Sequence, residues 1–315
     1  MRQRTVRSVL VTAVLTSAAL VASTVLAASP AQARARDLDL PEPGVFLEGI
    51  GVDERAGLVY VSATNRSGTI YRGRVGGDRL EVWQPPTAGD NARGIDVDAA
   101  GRVFVAGGPT GEVRVFSRSG ALLAELQTGE AGSFLNDVKV VGRTVYVTDS
   151  SLPRIWRVRQ VAGVWTLDLF RDVSGTVAYT PSTADFDLGG ITVTPDGRAL
   201  LTTQGTTGQL WRVDLRSRAV REVPIDGARV VNADGIVLRG DDLFVVQNFS
   251  RQITRLDLDD RWTTARTAAV VATPADRTFT TAKRVGGRLL LVDSKFGFTP
   301  AQAVAQDRVV ALKLF

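Results

Sequence analysis

Residues 47–63 read LEGIGVDERAGLVYVSA, and this pattern decides the fold because it returns five more times along the chain. Each copy has a short apolar strand, a turn containing Gly or Asp, and a second apolar strand. The later copies begin at residues 92, 135, 189, 233 and 281, at intervals of 43 to 54 residues. Periods of this length are typical of propeller blades. The sequence therefore predicts an all-β, six-bladed β-propeller of four-stranded antiparallel blades.

The outer strands of each blade follow the same repeat. Third strands read, for example, PRIWRVR at 153–159 and GQLWRVD at 208–214, with tryptophans that we expect to pack between blades. A fourth strand follows in the first five copies but not in the sixth. Residues 36–42 precede the first blade and supply the missing strand, so the N-terminal strand joins blade six and removes two open sheet edges. Pro41 suits such an outermost strand because one of its sides is unpaired.

The N-terminal residues have the order of a secretory signal peptide. Three arginines lie among the first seven residues, residues 9–28 are apolar or small, and AQA at 31–33 offers a cleavage site. We expect residues 1–33 to be removed and residues 34–315 to form one propeller domain that is secreted. The alternative is a single membrane anchor, because the apolar run is nearly long enough to span a bilayer.

Composition excludes several kinds of chemistry. The chain has no cysteine and no histidine, so disulfides, thiolate or imidazole metal ligands and Ser-His-Asp triads are impossible. The formal charge is +5, and removing the three N-terminal arginines leaves it near +2. The remaining arginines are scattered, whereas nucleic-acid binding needs a concentrated basic face. We expect no nucleic-acid partner, no membrane contact after cleavage, and a monomer.

The first residues of the six copies should meet at one opening of the central channel, because innermost strands line that channel. In register these residues are Glu48, Arg93, Asn136, Gly189, Asp234 and Thr281. Two carboxylates that converge repel each other unless a cation neutralises them. Glu48, Asn136 and Asp234 present hard oxygen ligands, which predicts one divalent cation, calcium first and magnesium, manganese or zinc as alternatives. Otherwise Asp and Asn here are ordinary turn residues.

These motifs resemble a known family. Glu48-Gly49, Asn136-Asp137-Val138, TVTPDG at 192–197 and Asp234-Gly235 are similar to the senescence marker protein/gluconolactonase/luciferin-regenerating enzyme family, and paraoxonase-type lactonases share the architecture. The resemblance covers all six blades. It implies one divalent ion at the top of the channel, with Glu48 and Asp234 as ligands and Asn136 as an amide that contacts substrate or metal.

The chain departs from that family at two positions. The family's blade-four motif is Asn-Gly-Ile, but here Gly189 stands where the asparagine ligand belongs. Asp187 or a water molecule are the candidates to fill this gap. Phe134 stands where the family has an arginine two residues before the blade-three asparagine.

Further candidate residues come from the register and from the loops that join second and third strands. Asp137 follows Asn136, and Asn248 lies in a loop that should reach the mouth of the channel. We predict that Asn136, Asp137, Asp187 and Asn248 contact a small-molecule substrate. Four other polar loop residues should approach the same face, with solvated loop tips as the alternative: Asn65, Asp149, Asp293 and Lys295.

Two functions are compatible with these residues. The first is a divalent-metal-dependent hydrolase of lactones or related esters, similar to gluconolactonase. There the ion polarises the carbonyl and Asp234 acts as general base, since no histidine competes. The second is a non-catalytic binding propeller with a degraded metal site, which would hold an extracellular ligand or protein at the channel mouth.

Overall fold

A computed structural model describes residues 36–40, 42–65, 67–180, 186–299 and 308–315. The predicted signal peptide and Pro41 lie outside these residues. The described residues form six antiparallel sheets. Each innermost strand contacts the innermost strands of both neighbouring blades, and the sixth contacts the first. The predicted six-bladed β-propeller is therefore confirmed.

The innermost strands line the channel, and the second strands pair with them as hairpins. From blade one to blade six the innermost strands are Leu47–Asp53, Ile95–Val97, Leu135–Val141, Leu188–Val193, Ala233–Arg239 and Phe279–Val285. The second strands are Leu58–Ala63, Val103–Ala106, Thr144–Asp149, Ala199–Gln204, Asp242–Gln247 and Arg288–Asp293. Each hairpin turn contains a glycine with positive φ, for example Gly57 at 64° and Gly197 at 68°. Glycine reaches this region without steric cost, so the predicted turns are explained.

The outer strands complete each blade. The third strands are Ile70–Arg74, Glu112–Phe116, Arg154–Val161, Gln209–Asp214, Gln252–Leu258 and Arg308–Lys313. The outermost strands are Leu80–Gln84, Leu122–Gln127, Val164–Asp172, Val220–Val223, Ala265–Ala272 and, for blade six, Leu38–Asp39. Blade five gains a fifth, parallel strand, Ile225–Asp226, since the chain leaves blade four and pairs briefly with the neighbouring blade.

The N-terminal strand closes the ring, as the count of strands predicted. Leu38 pairs with Val309 and Asp39 with Arg308, both antiparallel. The backbone N–H of Asp39 also donates to the carbonyl of Asp78 in blade one at 2.9 Å. The closing strand therefore connects the last blade to the first.

The hydrophobic core lies between neighbouring blades. One cluster joins Phe104 of blade two to Val147 and Trp156 of blade three. The next joins Tyr146 of blade three to Trp211 of blade four. Both tryptophans are almost fully buried, which confirms their predicted packing role.

The predicted register is wrong by one residue in blade six. Phe279 pairs with Asp293 just as Leu47 pairs with Ala63, so Thr280, not Thr281, corresponds to Glu48. Blade six has no glycine at this point to mark the register, and two adjacent threonines fit either alignment. Thr281 instead occupies the position after the starting residue, which is glycine in four of the other five blades.

Of the residues that the structure describes, none belongs to a helix long and apolar enough to cross a membrane.

Candidate functional site

The starting residues gather at one channel opening because the innermost strands begin with a β-bulge. In five blades the ladder shifts register at this point, between Leu47 and Ile50 in blade one, for example. A bulge re-aims the side chains within it. Hydroxyl groups then link adjacent blades at this level. Thr148 donates to the carbonyl of Gly189 at 2.7 Å, and Thr280 donates to the carbonyl of Glu48 at 2.9 Å. The backbone under the site is therefore fixed.

A cavity of ≈ 450 Å³ opens at this end of the channel. Five starting residues line it, and so does one of the loop residues predicted to reach the mouth: Glu48, Arg93, Asn136, Gly189, Asp234 and Asn248. The structure therefore brings together the three predicted metal ligands in a space of the size that small ligands occupy.

Glu48 is a buried acid, and one of its carboxylate oxygens has no hydrogen-bond partner. Its side chain is 6% exposed, and Oε2 is buried without a hydrogen-bond partner. Burial raises its pKa well above the usual range, and the charges of Asp234 and Asp137 add to this, while Arg93 acts in the opposite direction. An ionised oxygen in this position costs free energy unless a proton or a cation meets it.

Asp234 lies in the same cavity and is held by a loop residue. The Asn248 amide Nδ2 donates to Asp234 Oδ2 at 2.8 Å, and Asn248 Oδ1 accepts the backbone N–H of Phe249. Burial raises the pKa of Asp234 to about 7; the Asn248 hydrogen bond and Arg93 lower it, and Asp137 raises it. Asn248 uses both ends of its amide in this way, so it positions Asp234.

Asn136 is fixed from one side only. Its Nδ2 donates to Ser150 Oγ at 2.7 Å, and Ser150 Oγ donates in turn to the carbonyl of Leu188 in blade four. The amide oxygen is then the atom left for a ligand in the cavity. Oxygen is the donor that the predicted divalent site requires.

Arg93 is a further charged residue of the cavity, to which the sequence pattern assigned a place in the register but no role. It lines the cavity, its Nε is buried without a hydrogen-bond partner, and its guanidinium lies 5.1 Å from the centre of the Phe134 ring. Burial lowers its pKa, while Glu48 and Asp234 raise it. A fixed positive charge therefore shares the cavity with the two acids. The available signal in the sequence was one basic residue among starting residues that include two acids.

Two predicted substrate contacts lie outside the cavity wall. Asp137 accepts the backbone N–H groups of Val138 at 2.8 Å and Ile191 at 3.2 Å, within the packed channel. Asp187 is 1% exposed, and its carboxylate accepts bonds from Gln204, Thr206 and the backbone of Thr180. These three bonds already occupy the Asp187 carboxylate, and Asp187 does not line the cavity. That Asp187 fills the gap beside Gly189 stays a prediction.

Four of the predicted loop residues form hydrogen bonds or ion pairs within the protein. Asn65 bonds the backbone of Phe46 and Gly44. Asp149 is fully buried and accepts from Ser133 and from Trp156 Nε1. The remaining two form a buried ion pair of 3.0 Å: Asp293 and Lys295. None of these four residues lines the cavity. Of the five loop residues predicted to approach the mouth, Asn248 alone lines it in the described structure.

Gly189 leaves real space in the wall of the cavity. A β-carbon added there would lie 3.5 Å from its nearest neighbour, the Ala233 carbonyl, which is ordinary contact. A β-carbon on the next residue, Gly190, would lie 2.3 Å from the carbonyl of Asp234. The glycine at position 190 is therefore required by backbone packing, whereas position 189 has room for a side chain.

The oxygen donors at the mouth are of the type that binds a divalent cation. Their number is small. Glu48 Oε2 is an orphaned carboxylate oxygen, Asp234 is a second acid, and the Asn136 amide oxygen is a third hard donor. Within the described part of the chain, no group of three or more carboxylates is arranged to hold a metal ion. A cation here would depend on two acids, one amide and water.

Comparison with known proteins finds similarity in fold alone. No protein-family profile matches the sequence, and no curated protein matches it. Many solved structures share the fold. Virginiamycin B lyase from Staphylococcus aureus superposes with a TM-score of 0.61 at 14% identity, covering 89% of this chain and 99% of that one. Regucalcin from Agrobacterium tumefaciens, described as a calcium-binding protein, gives 0.63 at 14% identity, with 86% and 92% covered.

Fold and site together define the class to which this protein belongs. It is a six-bladed propeller, with an acidic cavity at one mouth of its channel. Its structural neighbours include a lyase and a calcium-binding protein. Structural similarity at 14% sequence identity shows the shared architecture. It does not show the activity, which depends on the residues of the site.

Proposed function

We propose that this protein is a divalent-metal-dependent hydrolase of lactones or related esters. One observation carries the proposal: the partnerless buried oxygen of Glu48 shares a ligand-sized cavity with Asp234, whose pKa is raised to about 7. Desolvated carboxylates with shifted pKa values are features of functional sites, because they are costly to keep for stability alone. The calcium-binding neighbour supports the choice of cation. Secretion, which the N-terminal sequence predicts, belongs to the same proposal.

The residues divide into holding and reacting roles. Glu48, Asp234 and the Asn136 oxygen would hold the ion, which when bound supplies a Lewis acid for the carbonyl and a more acidic water. Asp234 accepts the proton of the attacking water, and Asn248 keeps its carboxylate in place. Arg93 adds a fixed positive charge near the oxyanion that forms when water attacks the carbonyl. As the ester C–O bond then breaks and the ring opens, Asp234 returns its proton to the leaving alkoxide.

The first test separates cation binding from turnover. The purified protein should melt several degrees higher in calcium than in chelator, because a ligand of the folded state stabilises it. Glu48→Gln should abolish that difference. Lactone hydrolysis, followed by acid release, should be lost in Asp234→Asn while the protein stays folded. Equal melting temperatures with calcium and chelator would contradict the cation site.

A non-catalytic binding propeller is the second candidate, and Arg93 favours it. Its guanidinium already supplies a cation beside Glu48 and Asp234, and Gly189 leaves one ligand position without a donor. In that case small molecules bind at the mouth and are released unchanged. Ligand binding by calorimetry, with no turnover of any lactone in calcium, magnesium, manganese or zinc, would favour this function over hydrolysis.

A further inference from the structure

The wall of the mouth cavity is unusually rich in phenylalanine. Four of its lining residues are of this type, contributed by the loops around blades three to six: Phe134, Phe186, Phe249 and Phe296. None was singled out for function from the sequence. The charged lining residues, Glu48, Arg93 and Asp234, are all starting residues of the innermost strands, so the cavity has a charged floor and an aromatic rim.

On one side of the rim the rings are already in place. The backbone N–H of Phe134 donates to Asp149 Oδ1 at 3.0 Å, and its ring lies 4.8 Å from that of Phe186. Arg93 covers the Phe134 ring from the cavity floor. An aromatic surface held in this way binds an apolar group with little loss of side-chain entropy.

Two rings of the rim are exposed to solvent. Phe249 is 58% exposed and Phe186 is 44% exposed, although both line the cavity. Phe296 is better supported, with its ring edge-to-face against Phe46 at 6.0 Å. Exposed aromatic rings concentrated around a pocket are typical of a binding surface, since water contact with them is unfavourable.

The polar side chains higher on the wall are largely committed elsewhere. Thr206 Oγ1 donates to Asp187, and Asn232 Nδ2 donates to Ser250 Oγ at 3.0 Å. A polyhydroxylated ligand such as a sugar lactone needs a hydrogen-bond partner for nearly every hydroxyl that it buries. Among the described residues of the wall, these two side chains already use their hydrogen-bond donors within the protein.

We propose that the ligand of this cavity is a small molecule with an apolar body, aliphatic or aromatic, and one polar carbonyl group. The apolar body contacts the phenylalanine rim, and the carbonyl reaches the floor between Glu48, Asp234 and Arg93. This inference rests on the proposed lactone site and names its substrate class: hydrophobic lactones or esters in place of sugar lactones.

Binding is tested first with a compound that cannot be hydrolysed. The probe is the δ-lactam that carries the pentyl chain of δ-decanolactone, titrated into the purified protein by calorimetry in calcium. It should bind, and Phe249→Ala and Phe186→Ala should each weaken binding about fivefold to tenfold through lost apolar contact. Leu122→Ala is the matched control, because Leu122 is 53% exposed on the outermost strand of blade two. That variant should bind as the wild type does.

Turnover is then compared for two lactones of the same ring size, δ-decanolactone and glucono-δ-lactone. The alkyl lactone should have kcat/KM at least tenfold higher, and Phe249→Ala should raise its KM more than it lowers kcat.

The outcomes separate the two proposals. If the lactam binds and neither lactone is opened, the apolar ligand class stands and the hydrolase proposal fails. If glucono-δ-lactone is the better substrate, the hydrolase stands and the apolar class is overturned. Absence of lactam binding, or equal weakening by Leu122→Ala, would also overturn it.

Discussion

The two ends of the channel treat buried acids in opposite ways. At the end away from the mouth, Asp96 lines a second cavity together with Lys139 and Lys283, at nitrogen–oxygen distances of 3.3 and 3.4 Å. These two cations and the backbone N–H of Val140 hold its pKa below the ordinary value despite burial. At the mouth, the pKa values of both acids are raised instead.

The difference separates an acid whose charge is paired within the fold from two acids whose charges are not. Asp96 has found two counter-charges within the fold, so its ionised form stabilises the protein. Glu48 and Asp234 share a single arginine, which forms no ion pair of 4.0 Å or less with them in the described structure. Their charge destabilises the empty fold, and it is therefore available to bind a cation or move a proton.

The largest change in the free energy of unfolding should come from Asp96, at the end of the channel away from the mouth. Asp96→Asn leaves Lys139 and Lys283 without their carboxylate and should lower the free energy of unfolding by ~2–4 kcal/mol, since a partly buried charge loses its partner. Glu48→Gln is the matched variant at the mouth. In chelator it should be neutral or slightly stabilising, because it removes an unmet charge. Both are measured by chemical denaturation at neutral pH, and equal losses would contradict the contrast.

A smaller effect should appear in the pH dependence of the metal-free protein. The pKa of Asp234 is about 7 in the folded state, above its unfolded value near 4. Its contribution to stability is therefore complete below pH ~4, is lost as the pH rises toward 7, and is constant above. Relative to wild type, Asp234→Asn should gain ~1.4 kcal/mol for each pH unit between those limits. Denaturation curves at several pH values measure this gain.

The control for that measurement is Asp226→Asn, which alters an exposed acid outside the mouth. Its stability should follow the wild-type pH profile throughout. A flat difference between Asp234→Asn and wild type would show that the carboxyl of Asp234 titrates in the ordinary acid range.

The smallest effect should come from filling the gap in the metal site. Gly189→Asn adds an amide oxygen where there is room for a side chain, and should tighten calcium binding about tenfold, or ~1.4 kcal/mol. Calorimetric titration measures it. Gly190→Asn is the control, because its β-carbon would collide with the Asp234 carbonyl. That variant should lose stability and gain no affinity.

The ring of starting residues was predictable because backbone packing marks it. Glycine follows Glu48, Arg93, Gly189 and Asp234, and adjacent innermost strands approach too closely there for a side chain. Apolar alternation and turn glycines then locate the blades. In blade six the glycine is missing and two adjacent threonines fit either alignment, so the predicted register is wrong by one residue there.

The aromatic rim and the partners of Asp187 were not predictable in the same way. Phe186 and Phe249 reach the cavity through irregular loops, whose course follows no repeat. Asp187 precedes a strand much as a site residue would, yet Gln204 and Thr206 bind it from the second hairpin strand and its loop. The charged cluster at Asp96 could have been predicted, because its charged residues lie within innermost strands.

The strand that closes the ring also joins parts of the chain that are far apart in sequence. The backbone N–H of Ala311 donates to Asp37 Oδ1 across 274 residues of chain, and Leu38 has no ladder partner until Val309 exists. Blades one to five are built from contacts near in sequence, whereas this closure bears the entropy of a loop nearly as long as the protein. We therefore expect ring closure to form late in folding, after the contacts within the blades.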